Sequence, residues 1–209
     1  QTCALPIYRI GDSYSMLVYD IKPDEFEYAF SFDGPYEPAK GLLFNEENVL
    51  LDPYSRAVTG QRKWGEKPEG GKDFEYRARV VKSSFDWGNI KQLEQPFEDL
   101  VIYEIHVRGY TKDKSSGVSA PGTFAGLKDK IPYLKDLGIN AVEFMPIFEF
   151  DEMESARVVD GVQLYNYWGY NTVSFFAPNT SYAFNEEHNH EGDELKSLIK
   201  ALKENGIEV

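Results

Sequence analysis

The second half of the chain constrains the fold most, because it alternates strand-like and helix-like runs. After Leu100 a β-rich run, "VIYEIHV" (101–107), gives way to "FAGLKDKIPYLKDLG" (124–138), which sets Leu127, Ile131, Leu134 and Leu137 on one helical face and ends on Gly138 as a C-terminal cap. Pro132 either kinks that helix or restarts it. A second β-rich run, "INAVEFMPI" (139–147), follows at once. After a long loop, a second helix is predicted over about 190–205, with Leu195, Leu198, Ile199 and Leu202 at helical spacing and Gly206 closing it, and "IEV" opens a third strand. Strands separated by helices of this length imply a parallel sheet, either open or closed into a barrel, and periodicity does not choose between them. No glycine-rich turn follows either β-rich run to cradle a phosphate, which argues against a dinucleotide-binding sheet.

The first eighty or so residues have a different texture. "YSMLVYD", "EFEYAFSFDG", "NVLLDPY" and "EYRARVV" are short aromatic or β-branched runs broken by Pro, Gly, Asp and Asn, which predicts a small antiparallel domain. A polar, glycine-rich loop is predicted over 60–76. The expected organisation is a first domain over 1–82, a linker over 83–99 and a second domain over 100–209. The opening "QTCALPI" reads like the in-frame translation of a sequencing adapter, so residues 1–7 are expected to be a scar and the natural protein to begin further upstream. Cys3, the one cysteine, falls inside it, which leaves no intrachain disulfide and no cysteine-based metal site.

Charge narrows the partners. With 22 Lys and Arg against 35 Asp and Glu the net charge is −13, so nucleic acid and anionic membrane surfaces are repelled. No run of about 18 apolar residues could span a bilayer. A cytoplasmic location is expected.

Carboxylates are plentiful, and each is weighed for chemistry. Glu104 and Glu143 fall mid-strand and are expected to make a structural hydrogen bond or to face the helices, and Asp151, Glu152, Glu154 and Asp160 are expected to form a solvated acidic loop. His188 and His190 ("HNH") lack a third ligand nearby and are expected to cap a helix or face solvent, and His106 to be packed rather than catalytic. No metal and no cofactor is expected. The aromatic stretch "LYNYWGYNTVSFFAPNTSYA" (164–183) differs from a core segment, because Asn, Gly, Thr and Ser are woven among its rings. Phe175, Phe176 and Tyr182 are expected to plug the core beneath the loop. Tyr167, Trp168 and Tyr170, set around Gly169 and beside Asn171, have the composition of a surface for a pyranose ring, with flat apolar faces and polar edges.

Three blocks, "VIYEIHVRGYT", "GTFAGLKDKIPYLKDLGINAVEFMPIFEFDE" and "NYWGYNTVSFFAPNTSYA", resemble in order and spacing the first three blocks of the α-amylase superfamily barrel, in the version carried by isoamylases and bacterial glycogen-debranching enzymes. "LLFNEENVLLDPYSRAV" is similar to the segment that ends their N-terminal starch-binding β-sandwich, and the resemblance runs from about Ser13 to Val209. It implies a multidomain fold: a partial all-β sandwich followed by the first strands and helices of an α/β (β/α)8 TIM barrel. The implied activity is retaining hydrolysis of α-1,6 branch points in glycogen or a related α-glucan. A pullulanase, an α-amylase, a branching enzyme or a non-catalytic glucan-binding protein stays open as an alternative. The resemblance matches Tyr170 to the tyrosine beneath the sugar ring at the cleaved position, with Trp168, Tyr167 and Asn171 beside it. The family's catalytic carboxylates belong to later strands, so this chain is expected to be an inactive fragment, and the calcium-binding wording some relatives carry after the second strand is absent.

Overall fold

A computed structural model describes residues 8–22, 25–60, 63–66, 76–82, 84–185, 187 and 189–209. Its centre is a parallel pair, β7 (Ile102–Ile105) and β8 (Ala141–Phe144), in the register Ile102↔Ala141 to Ile105↔Phe144. The crossover between them holds α1 (Val107–Thr111), α2 (Phe124–Lys128) and α3 (Ile131–Leu137). The helix predicted over 124–138 is thus two helices. Pro132 lies in the first turn of α3, where a missing N–H costs nothing, so it restarts the helix. Gly138 ends α3 at φ 86°, in the left-handed conformation expected of a cap.

Side chains alternate across the pair. Ile105 and Val142 join Phe124, Leu127, Ile131 and Leu134 of the crossover and Leu198 and Leu202 of α4 (Glu191–Glu204) in the core. Leu137, predicted on the same helical face, is about half exposed at the end of α3. Glu104 and Glu143 lie opposite each other in the register and are exposed, so they point away from the helices; the expectation of helix-facing charge is corrected by strand alternation. "IEV" runs parallel beside β8 as expected: Val142 N–H donates to the Glu208 carbonyl at 2.9 Å and Glu208 N–H to the Asn140 carbonyl at 2.8 Å. Asn140 ties the strand starts together, its Oδ1 accepting from Val101 N–H (2.7 Å) while its Nδ2 donates to the Asp99 carbonyl (2.9 Å).

The first part of the chain is built from antiparallel pairs of two or three residues: β1 (Tyr8–Ile10) with β2 (Ser13–Ser15), β3 (Glu27–Tyr28) with β6 (Ala78–Arg79), and β4 (Tyr36–Glu37) with β5 (Leu42–Leu43). Single bridges join Phe30 to Leu50 and Val58 to Ala78. The pairing is antiparallel as expected, but much shorter than the runs in sequence, and rings such as Tyr14, Tyr19 and Tyr36 stand exposed. This part meets the second half through Ser55, whose hydroxyl lies 3.4 Å from that of Ser174, and through Tyr54, stacked on Phe176 at 5.7 Å.

Between β8 and α4 the chain forms β9 (Phe148–Phe150), a hairpin of β10 (Arg157–Val159) and β11 (Val162–Leu164), and β12 (Thr172–Pro178), which returns antiparallel beside β9. The β12·β9 register slips twice, between Thr172 and Ser174 and between Ser174 and Pro178. The slip turns both phenylalanines outward: Phe175 and Phe176 are 65% and 56% exposed, so neither plugs the core as expected, whereas Tyr182 is fully buried.

Candidate substrate-binding site

The aromatic loop sits on a rigid base. Asn166 pins its start, with its N–H donating to the Glu152 carbonyl (2.9 Å) and its Nδ2 to the Asp151 carbonyl (3.3 Å). Gly169 then turns the chain at φ 77°, and a Cβ there would lie 2.4 Å from the ring of Phe150, which is fully buried. Glycine is needed at this position on both counts. At the end of the loop the Asn171 Nδ2 donates to Glu154 Oε2.

His106, at the end of β7, carries the middle of the loop. Its Nδ1 accepts from Gly109 N–H at 2.9 Å and so caps α1. A nitrogen that accepts carries no proton, so the proton is on Nε2, which donates to the Tyr167 carbonyl at 2.8 Å. The imidazole also stacks on the Tyr167 ring, centroids 4.3 Å apart and 6° from parallel. Burial, and less strongly the nearby Arg108 cation, hold its pKa below the ordinary value, although the Tyr167 carbonyl pulls the other way. His106 is therefore packed and hydrogen-bonded, as expected, but its task of holding the loop is not visible in the sequence.

Beneath Tyr167 lies an aromatic cage centred on Trp64, a residue from the first part of the chain. Trp64 meets Phe150 and Tyr167 edge-on at 5.9 Å each, lies flat on Tyr182 at 6.2 Å, and carries the Arg108 guanidinium 4.5 Å above its ring. This last contact is a cation–π interaction in a partly desolvated place. Tyr182 in turn abuts Phe124 and Phe150. Sequence reasoning missed Trp64, which stands in a polar, glycine-rich stretch otherwise largely outside the described residues.

The loop after β8 is only in part the solvated acidic loop expected: Asp151 is half-buried and Glu154 is exposed, but Glu152 is not in water. Glu152 is fully buried, its Oε1 accepting from Ser181 Oγ at 2.7 Å. Burial pushes its pKa up to about 7, with Asp151 adding to the rise while the Ser181 bond and Arg108 oppose it. Glu149, also fully buried, accepts from Thr180 N–H at 2.8 Å, and burial holds its carboxyl well above the usual range. β12 folds back over these carboxylates and brings Thr180 and Ser181 onto them, which is why they are not in water. Asp160 does remain exposed, at the tip of the β10–β11 hairpin. His190 precedes α4 and pairs with Glu187 at 3.0 Å, without capping the helix through its side chain; His188 lies outside the described residues. No group of three or more His, Cys, Asp or Glu able to hold a metal ion lies among the described residues, nor does a helix long and apolar enough to cross a membrane.

The predicted binding residues Tyr167, Trp168, Tyr170 and Asn171 are all at least part exposed. Tyr167 is 40% exposed, Trp168 56% and Tyr170 67%, with Trp168 edge-on to Tyr167 at 5.9 Å. Part-exposed rings on an anchored loop, with the amide of Asn171 beside them, combine flat apolar faces with polar edges.

No family profile matches the chain. Isoamylase 1 of Arabidopsis thaliana, a chloroplastic protein, is 39% identical over 190 residues, which cover 87% of this chain and 24% of the relative. The glycogen debranching enzyme of Yersinia enterocolitica is 35% identical over 216 residues, covering 96% of this chain and 32% of the relative. Among solved structures, the pullulanase SAP of Group B Streptococcus in complex with maltotetraose superposes with a TM-score of 0.59 at 27% identity, over 76% of this chain and 22% of that one. The chain spans about a quarter to a third of the length of these curated relatives. Over most of its own length the chain is thus similar to one part of the isoamylases and glycogen-debranching enzymes, the group its sequence resembles.

Proposed function

We propose that the chain is part of an α-glucan debranching hydrolase and supplies the platform on which a glucose ring rests beside the scissile α-1,6 bond. The observation that carries this reading is the loop itself: Tyr167, Trp168 and Tyr170 are part exposed, yet their backbone is fixed by His106, Asn166 and the close seat of Gly169 on Phe150. Rings held in this way bind without first being ordered, which lowers the cost of association. Tyr170 gives the face beneath the ring, Trp168 and Tyr167 extend it, and Asn171 serves the hydroxyl rim. Residues 1–82 serve as part of a starch-binding β-sandwich, 83–99 as a linker and 100–209 as the opening strands and helices of a (β/α)8 barrel. The parallel β7·β8 pair with its helical crossover, and the third strand beginning at Glu208, support the barrel assignment. The chemical step needs two carboxylates about 5 to 5.5 Å apart in a retaining mechanism. Such a pair is supplied by later strands, so the 209-residue chain alone releases no reducing sugar from glycogen.

The test uses the full-length protein that carries this segment. Tyr170→Phe keeps the ring and Tyr170→Ala removes it, so kcat/KM on glycogen falls about ten- to a hundredfold in the alanine variant and much less in the phenylalanine variant. An alanine variant that melts early yet debranches normally per folded molecule removes Tyr170 from the site.

A further inference from the structure

Beside the start of the aromatic loop, the β10–β11 hairpin stands off and leaves an open cleft of about 450 Å³. Ser155, Arg157, Gln163, Leu164, Tyr165 and Tyr167 line it. That volume lies within the range of about 300–1,000 Å³ typical of small-molecule sites. The hairpin wall is well defined. Its antiparallel register runs from Arg157↔Leu164 to Val159↔Val162, and the two turn residues, Asp160 and Gly161, have φ of 50° and 78°, the conformation a tight two-residue hairpin turn requires.

The lining matches the chemistry of a neutral sugar. Tyr165 and Tyr167 offer ring faces, each a little over a third exposed, and both are backed by one segment of the first part of the chain. A Cβ on Gly65 would lie 2.9 Å from the Tyr165 ring, and Trp64 abuts Tyr167 at 5.9 Å. Arg157 is exposed and has no carboxylate at ion-pair distance among the described residues, so its five donors are open to hydroxyls. The Gln163 Nε2 donates to the carbonyls of Arg157 (3.2 Å) and Leu164 (3.0 Å), which orients the amide and leaves its Oε1 as an acceptor.

We propose that this cleft is a second saccharide subsite, in which Tyr165 and Tyr167 stack on a glucose unit further along the same α-glucan and Arg157 and Gln163 bond its hydroxyl rim. The inference rests on the glucan-binding reading above and extends it from one ring to a chain of rings. A longer oligosaccharide then binds more tightly than a short one because it reaches both Tyr170 and the cleft.

The experiment titrates maltose and maltotetraose calorimetrically into the full-length protein carrying this segment and into its Tyr165→Ala, Tyr165→Phe, Arg157→Ala and Tyr170→Ala variants. The expected result is an affinity for maltotetraose about tenfold lower in Tyr165→Ala and several-fold lower in Arg157→Ala, near normal in Tyr165→Phe, with a smaller advantage of maltotetraose over maltose and an unchanged melting temperature. Loss in Tyr170→Ala with no loss in Arg157→Ala and Tyr165→Ala overturns the cleft and leaves the platform standing. A wild-type protein that binds neither sugar overturns both. Should Tyr165→Ala melt early, Arg157→Ala, on an exposed hairpin, decides alone.

Discussion

The imidazole of His106 lies flat on the phenol ring of Tyr167, 4.3 Å between centroids, while its two nitrogens bond Gly109 on one side and the Tyr167 carbonyl on the other. One side chain thus caps a helix, fixes a tautomer and positions a part-exposed ring of the aromatic loop. His106→Ala removes all three contacts at an expected cost of about 1–2 kcal/mol. His106→Asn restores an acceptor for the cap but not the stack, so its melting temperature falls between those of wild type and alanine. The lowered pKa sets the sign of the pH effect: the imidazole's contribution is present above its ordinary value of 6.5 and is lost as pH falls through the lower folded value.

Glu152 has the opposite sign. Its folded pKa, about 7, is above the ordinary 4.5, so the folded state holds a proton that the unfolded chain releases. The stability this gives is complete below pH 4.5 and is lost as pH rises through about 7. Glu152→Gln keeps the neutral form at every pH. Thermal melts of the two proteins from pH 5 to about 8 are expected to diverge towards the alkaline end, with wild type the less stable.

Gly169→Ala places a side chain where φ is 77° and where the Phe150 ring is 2.4 Å from the new carbon. The left-handed conformation alone costs about 1–2 kcal/mol, and the contact with a buried ring adds to it. A lower melting temperature together with weaker maltotetraose binding is expected; binding at wild-type strength would show that the loop does not need this seat.

Trp64→Ala opens a hole beneath Tyr167 and Tyr182 and strands the Arg108 cation. The expected loss is about 3 kcal/mol, at the low end for a large aromatic because Trp64 is only partly buried. Trp64→Phe keeps part of the packing and loses less. Chemical denaturation of both variants gives the ordering directly.

Much of the second half was legible because its signals are local. Helical spacing of apolar residues, Pro132 in a first turn, and Gly138 and Gly206 in left-handed caps are all set within a few residues. The exposure of Tyr167, Trp168 and Tyr170 agrees with the polar residues woven among them in the sequence. What sequence reasoning could not reach depends on distant pairing. Glu152 reads as a surface acid until β12 folds Ser181 onto it. Phe175 and Phe176 read as core until two register slips turn them outward. In the first part, alternating aromatic runs suggested long strands, yet pairing covers only two or three residues at a time, since a strand's length is fixed by its partner as well as by its own pattern.

Trp64 shows that the boundary of a working unit need not follow the boundary of a sequence texture. It belongs to the stretch that precedes the parallel pair by nearly forty positions, yet its indole packs against both Tyr167 and Tyr182 of the aromatic segment. A chain trimmed to begin at residue 83 would keep every strand and helix of the second half and still lose the prop beneath Tyr167. Exchanging the first part of the chain would exchange that prop as well, so the support of Tyr167 changes without a single substitution in the loop that carries it.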